Sequence, residues 1–296
     1  MPTDVVATTY LEDADLLFDE LHRQRFGVPV LQALQDALPV NLYRHRWHYK
    51  PNKRRRPLTI PRNRLRKLQN FFQQAILQYL DVHDAVHGYR KRHSNITAVT
   101  PHVGCAVLIC LDAREFFQTI TKDAVKQALL DQGAATVVAE LIAAICTSNN
   151  KLPQGAPTSP ALSNVVGYTL DCKCAETAEK YGYVYTRFVD DLILSSQKNG
   201  DVHEVEAFLD AICAVVRDGG YGIHTGKFRV AKSHQKQEAL SLTLNKYGGG
   251  RVCVKPIRVK RAFKRRLRAA LHQMRTCGTA EWNPDQIEGA QAFVKM

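Results

Sequence analysis

With 296 residues the chain exceeds a typical single domain of about 100–200 residues, so one large unit or two to three smaller ones are expected. Its 41 Lys and Arg against 28 Asp and Glu leave a formal charge of +13, which points to a polyanionic partner, nucleic acid first. A membrane surface is the other polyanion, but no apolar run approaches the roughly 20 residues that span a bilayer, and Met1-Pro2-Thr3-Asp4 opens no secretory leader, so a cytoplasmic chain is expected.

Eight cysteines are present without a CxxC pair, and the one-residue gap between Cys172 and Cys174 matches no structural zinc spacing. Most sit in apolar surroundings and are expected to be buried thiols, neither metal ligands nor disulfides.

Residues 10–40 repeat apolar positions at helical spacing (Leu16, Leu17, Leu21, then Val30, Leu31, Leu34, Leu38), which predicts a helical N-terminus. From Lys50 to Lys67, nine of eighteen residues are Lys or Arg, and Pro51, Pro57 and Pro61 break any long helix. Leu58-Thr59-Ile60 reads as a strand, with Lys53-Arg54-Arg55-Arg56 topping a hairpin. Helical spacing returns from Leu65 to Leu80. Val107-Leu108-Ile109-Cys110-Leu111 is a buried strand that delivers Asp112 at its C-terminal end. A helix is predicted over 122–146, a Pro- and Gly-rich loop over 152–160 and a further helix over 161–181. Tyr185 to Ser195 reads as two short strands joined by a tight turn, with Asp190 and Asp191 at the tip. Then come a helix over 202–217 stopped by Gly219-Gly220, paired strands at 238–245 and 251–254 around Gly248-Gly249-Gly250, and a basic helix over 255–275. No repeat or low-complexity linker separates these parts, so they are expected to pack on one another.

Two adjacent carboxylates repel unless a cation lies between them or water screens them. An isolated Asp-Asp pair is commonly a solvated turn. Here Asp112 adds a third carboxylate from another strand end. Hard oxygen donors of this kind suit Mg²⁺, and two such ions about 3.5–4 Å apart suit in-line phosphoryl transfer.

Five segments, in chain order, resemble those of reverse transcriptases. Arg56-Pro57-Leu58-Thr59-Ile60-Pro61 is similar to the fingers segment, and Leu111-Asp112-Ala113-Arg114-Glu115-Phe116-Phe117 to the first palm motif. Leu152 to Pro160 is similar to the loop that positions template and nucleotide. Phe188-Val189-Asp190-Asp191 resembles the Tyr-x-Asp-Asp box with Phe for Tyr, and Gly226-Lys227-Phe228 the later lysine motif. The resemblance covers roughly residues 45–275. Within the family it is best to bacterial retron enzymes, because His87-Gly88-Tyr89 and the segment Ser94 to His102 look like what retrons carry ahead of the first palm strand. A second retron signature, Val-Thr-Gly after Gln-Glu, falls on Ala239-Leu240-Ser241 after Gln237-Glu238 and departs from it. That departure keeps a non-retron bacterial defence reverse transcriptase as the alternative. An inactive RNA-binding scaffold would lack a carboxylate, and none is missing. Ser159-Pro160 in place of Ser-Gln argues against a diversity-generating enzyme.

The resemblance implies an α+β fold: a right-hand polymerase with fingers, a palm of antiparallel sheet backed by helices, and a short helical thumb. N-terminal helices and fingers would span 1–104, the palm 105–245 with a fingers insertion near 120–150, and the thumb 246–296. Asp112, Asp190 and Asp191 would hold two Mg²⁺ ions, and Lys227 would serve the leaving pyrophosphate as general acid or plain charge. Arg56, helped by Lys50 or Lys53, would grip the triphosphate of a deoxynucleotide. Gln154 and Gly155 would line the nucleotide pocket, and Phe188 would keep the Tyr ring's packing without its hydroxyl. Phe117 would be a steric gate against a ribose 2′-OH. Phe116 is the other candidate, since strand alternation lets only one of the two face the site. His102 would be structural or RNA-contacting. The helix with Arg258, Lys260, Arg261, Lys264, Arg265, Arg266 and Arg268 would track an RNA–DNA hybrid rather than a membrane. The implied partners are a structured non-coding RNA, serving as template and as source of a primer 2′-OH, and an effector protein in trans for anti-phage defence.

Overall fold

A computed structural model of the chain describes residues 9–24, 42–49, 55–245, 257–277 and 281–295. Strand β3 (Val107–Arg114) is at its centre, buried along nearly its whole length. Alternation sorts its side chains between two cores: Val107, Ile109, Leu111 and Ala113 join the larger one, Leu108 and Cys110 a smaller one on the opposite face. β5 (Asp191–Ser196) pairs antiparallel with one edge of β3, and β4 (Val184–Phe188) pairs with β5. Two short strands, β6 (Gly222–Ile223) and β7 (Arg229–Lys232), share the other edge of β3. They complete a five-stranded antiparallel sheet.

Helices cover the larger face. Leu17 and Leu21 of α1 (Ala14–Arg23) and Leu65, Leu68 and Phe72 of α2 (Asn63–Ala75) enter the same core as the sheet. The short α3 (Asn95–Val99) lies on the other face, where Val99 meets Leu108 and Ile193. After β3, the turn-long α4 (Phe116–Thr119) leads into α5 (Lys122–Asp131) and α6 (Thr136–Cys146). The single helix expected over 122–146 is thus two, divided where Gly133 takes φ +86°, a conformation a side chain resists. The helix expected over 161–181 is also two, α7 (Ser159–Val166) and α8 (Tyr168–Lys180), meeting at Gly167. α9 (Val202–Asp218) matches expectation and starts with an Asp201–Glu204 capping box.

The basic N-terminal segment is a hairpin, β1 (Tyr43–Tyr49) against β2 (Arg55–Pro61). The second expected hairpin differs from its sequence reading. β8 (Glu238–Ala239) turns back at once onto β9 (Leu242–Thr243), and β10 (Arg258–Val259) is the third strand. The stretch 251–254, expected to be the partner, lies outside the described residues, as do Val30, Leu31, Leu34 and Leu38. The basic helix is α10 (Arg261–Cys277), and it is followed by α11 (Pro284–Lys295), which the sequence reading missed. Leu267 and Ala270 pack on Ile287 and Ala290, so the apolar stripe of α10 is covered by α11. Among the described residues no helix is long and apolar enough to cross a membrane. The arrangement is α+β, an antiparallel sheet backed by helices with a helical pair at the C-terminal end.

Candidate active site

Asp112 and Asp191 stand directly opposite each other across β3 and β5. Cβ atoms so placed are about 4.5–5.5 Å apart. By alternation both point to the face of Leu108, Cys110 and Ile193. Asp190 occupies the turn itself, not the strand, and its carbonyl accepts the Ala113 amide at 2.7 Å, which ties the turn to β3. Like charges facing one another are unfavourable. Burial, with Asp190 and Asp112 close by, pushes the Asp191 carboxyl up to about 6, against the pull of Lys227 and Arg229. Lys227, from a single 3-10 turn (Thr225–Lys227), sets its Nζ against Oδ2 of Asp112. Among the described residues no three His, Cys, Asp or Glu side chains form a metal cage by themselves. The donor set nonetheless fits Mg²⁺, which is usually held by one or two carboxylates together with substrate phosphates and water. Two opposed carboxylates, one of them neutralised by an ammonium, supply the kind of oxygen donors such a cation takes.

The hairpin that carries Asp190 and Asp191 is strained and heavily braced. Its two-residue turn puts Val189 at φ +62°, with Asp190 outside the positive region, which is the signature of a type II′ turn normally given to Gly. A β-branched residue there costs about 1–3 kcal/mol and persists only where its surroundings hold it. Gly88 presses on the turn so closely that a Cβ would lie 2.7 Å from the Val189 nitrogen. The Gly88 carbonyl accepts from Asn164 Nδ2 at 2.9 Å. Below the turn, Arg187 is fully buried and forks onto Asp171, with Nε to Oδ1 and Nη2 to Oδ2 both at 2.7 Å. Burial alone would lower the Arg187 pKa, but the Asp171 carboxylate outweighs it and holds the guanidinium charged. The sequence reading missed this group, since periodicity assigns charged helix positions to solvent.

Phe116 and Phe117 lie on a helical turn rather than a strand, entered through Glu115 at φ +51°. Successive residues of a helix diverge by about 100°. Phe116 turns inward and stacks on Tyr221 at 5.2 Å. Phe117 lines a cavity of about 290 Å³ together with Leu58, Arg66, Tyr89, Gln154 and Gly155. Gln154 and Gly155 line this cavity, and the glycine's close approach is to β2. At φ +121° its missing Cβ would meet the Thr59 carbonyl at 3.3 Å, and the Thr59 N–H donates to the Gln154 carbonyl at 2.8 Å. The loop is clamped to β2. Phe188 pairs with Asp191 across the hairpin and shares its face by alternation. Arg56 pairs through its backbone with His48, while its side chain, and all of Lys50 and Lys53, lie outside the described residues. The described cation at the cavity is Arg66, which the sequence hides in a run of like charges. Tyr89, also unforeseen, sits there at φ +56°.

His102 is buried between the two strands of the hairpin, with Nδ1 2.7 Å from Ser195 Oγ and Nε2 2.8 Å from Thr186 Oγ1. Thr186 gives its proton to the Ala98 carbonyl, so it accepts from Nε2–H, and Nδ1 accepts from Ser195. Burial, with a smaller push from His87, drops the His102 pKa to about 3, and the ring is a neutral bolt. On the C-terminal pair, Arg261, Lys264, Arg265 and Arg268 line one open hollow of about 530 Å³. It is a continuous basic face for a phosphate backbone.

Residues 48–244 match the model of the family described as reverse transcriptase (RNA-dependent DNA polymerase). The chain is 30% identical to the Retron Mx65 reverse transcriptase of Myxococcus xanthus over 95% of its own length and 72% of that protein's. It is 30% identical to the Retron Ec86 reverse transcriptase of Escherichia coli, over 80% of this chain and 79% of that one. To the Retron Mx162 reverse transcriptase of Myxococcus xanthus it is 28% identical, over 90% of this chain and 63% of that one. The opposed aspartates, the braced turn and the Phe117 cavity thus sit within a matched polymerase region, and the chain belongs to the reverse transcriptase family, as an RNA-directed DNA polymerase of the retron type.

Proposed function

We propose that Asp112, Asp191 and the turn residue Asp190 hold two Mg²⁺ ions once a nucleotide's phosphates complete their coordination. The observation that carries this is the register of β3 and β5, which sets two carboxylates face to face at the ends of adjacent strands, where burial and the neighbouring carboxylates raise the Asp191 pKa to about 6. When bound, the ions stabilise charge on the attacking hydroxyl and on the leaving pyrophosphate. Lys227, which stands against Asp112, would supply positive charge or a proton to the pyrophosphate. Phe117 excludes a ribose 2′-OH from the cavity it lines, and Gln154 and Gly155 form the wall opposite. Arg56 and Lys50, joined by Arg66, meet the triphosphate. Phe188 packs beside Asp191 as the missing Tyr would.

The substrate is a structured non-coding RNA that supplies the template and a 2′-OH primer, and the product is single-stranded DNA linked to RNA. The hybrid rests on the basic face of α10, so N-terminal fingers (1–104), palm (105–245) and thumb (246–296) work as one hand. Defence against phage would need an effector in trans. The decisive test is Asp190→Asn: DNA synthesis should fall at least a thousandfold while the variant still binds its co-purifying RNA. Appreciable incorporation by the folded variant would falsify the metal assignment. Sequencing that co-purified nucleic acid checks the primer, since an unbranched DNA product would sink the 2′-OH origin.

A further inference from the structure

Between the metal-side carboxylates and the sugar-facing Phe117 lies one buried cation with no role in the chemistry proposed above. The Arg187 guanidinium spends two donors on Asp171. A third, on Nη1, goes to the Val189 carbonyl at 3.0 Å, in the strained turn that carries Asp190. Nη1 also reaches Asn164 Oδ1 at 3.4 Å, and Asn164 in turn holds Gly88 against that turn. The other side of the cation is aromatic: its Cζ lies 5.3 Å from the centroid of the Phe116 ring. Phe116 is the neighbour of Phe117, and the two rings meet edge to face at 5.9 Å. The backbone of Arg187 is pinned as well, its N–H donating to the Ala85 carbonyl and its carbonyl accepting the His87 N–H, each at 2.8 Å. Room for the side chain exists because residue 167 is Gly, where a Cβ would stand 2.9 Å from Arg187 Nη2.

The planar fork of Arg has donors in fixed directions, so Asp171 sets the plane and the plane sets what the remaining edge and the faces can touch. The edge touches the carboxylate turn, and a face touches the helical turn with the gate. We infer that Arg187 is a positioning residue that registers the Asp190-bearing turn against the Phe117-bearing turn, so that a single buried cation governs both divalent-metal demand and sugar discrimination. The inference rests on the roles proposed for Asp190 and Phe117 and adds the coupling between them.

Arg187→Lys keeps the charge and loses the fork. Phe116→Leu leaves the fork and removes the face contact, and it decides the matter should Arg187→Lys fail to fold. Each folded variant is titrated with MgCl₂ and assayed for incorporation of deoxy- against ribonucleotides on its RNA. Both are expected to raise the Mg²⁺ concentration for half-maximal activity about tenfold and to narrow deoxy-over-ribo preference about tenfold. A merely structural role would lower the active fraction and leave both quantities at wild-type values. That result, or movement of only one of the two, overturns the inference. Two controls separate its failure from failure of the underlying reading. Phe117→Ala should relax sugar choice at unchanged Mg²⁺ demand, and Asp190→Asn should abolish synthesis. If either control misbehaves, it is the residue roles that fall.

Discussion

Two hairpins of this chain use the same local device with different support. At the Val189-Asp190 turn, a side-chain-bearing residue is held at φ +62°; at the turn between β8 and β9, Leu240 and Ser241 stand at φ +47° and +67°. Both conformations favour Gly, Asn or Asp. The first turn is over-determined: Gly88 abuts it, Arg187 bonds its carbonyl, and Ala113 ties Asp190 to β3. The second is held differently: β9 pairs with both β8 and β10, and Leu240 packs on the smaller core with Ala239 and Leu242; it is also where the retron Val-Thr-Gly pattern is replaced. Strain at the first turn is thus held by surrounding structure and aims carboxylates. At the second it is held by strand pairing and by Leu240 on the smaller core, and the turn carries no carboxylate of the β3–β5 pair. The contrast can be broken at either turn.

The largest effect is expected at Gly88. In Gly88→Ala the new Cβ would stand 2.7 Å from the Val189 nitrogen and 2.8 Å from its Cγ2, so the turn must move. Overpacking of this kind costs about 1–3 kcal/mol, and a displaced Asp190 should lower kcat at least tenfold. Thermal unfolding and single-turnover extension measure the two parts. Wild-type extension in a folded Gly88→Ala would mean that the turn tolerates displacement and that its bracing serves stability alone.

The next effect is a pH dependence at the base of the same hairpin. His102 titrates near 6.5 in an unfolded chain and near 3 when buried. The folded state therefore refuses a proton that the unfolded state takes, so stability is intact above pH 6.5 and falls as pH drops toward 3. The loss should reach about 2 kcal/mol at pH 5. His87, half-buried and lowered to about 4 by burial and by His93 and Arg90, adds to it in the same direction. His102→Asn, which keeps a donor and an acceptor, should be less stable at pH 7 but flatter between pH 6.5 and 4 by about 1.4 kcal/mol per unit. Denaturant titrations at several pH values would show an unchanged slope if the bolt were not the proton sink.

What was legible in the sequence divides along the same line. β3 with Asp112, the Asp190-Asp191 hairpin, the 152–160 loop and α9 were all readable, because their signals are local: an apolar run, a turn flanked by β-formers, a Pro-Gly cluster, a helix stopped by Gly219-Gly220. The brace was not. Asp171 and Arg187 look like surface charges by periodicity, and only the fold makes them partners. Gly88 gave no hint that Val189 would lie on it. The same limit hid Arg66 among its like-charged neighbours and placed Phe116 and Phe117 on a strand that had already ended. β6 and β8 to β10 are two residues long, below the length at which a period can be seen.

A milder change at the Asp190-bearing turn is Val189→Gly. It removes positive-φ strain of about 1–3 kcal/mol and adds about 0.5–1 kcal/mol of unfolded-state entropy, so stability should stay level or rise slightly. The turn would also gain freedom, and the rate of extension should fall a few-fold. Opposite signs for stability and rate are the mark of strain that serves a site. A fall in both would assign Val189 to packing.

The smallest effect is expected at the turn between β8 and β9. Ser241→Gly exchanges αL strain for unfolded-state entropy, and because this turn carries none of Asp112, Asp190 and Asp191, only stability should register it. A gain of about 0.5 kcal/mol with unchanged Mg²⁺ demand and unchanged kcat is expected, read from denaturant midpoints and steady-state extension. A change in RNA affinity without a change in stability would reassign the turn from local strain to recognition, and the two hairpins would then differ in what they hold rather than in whether they hold anything.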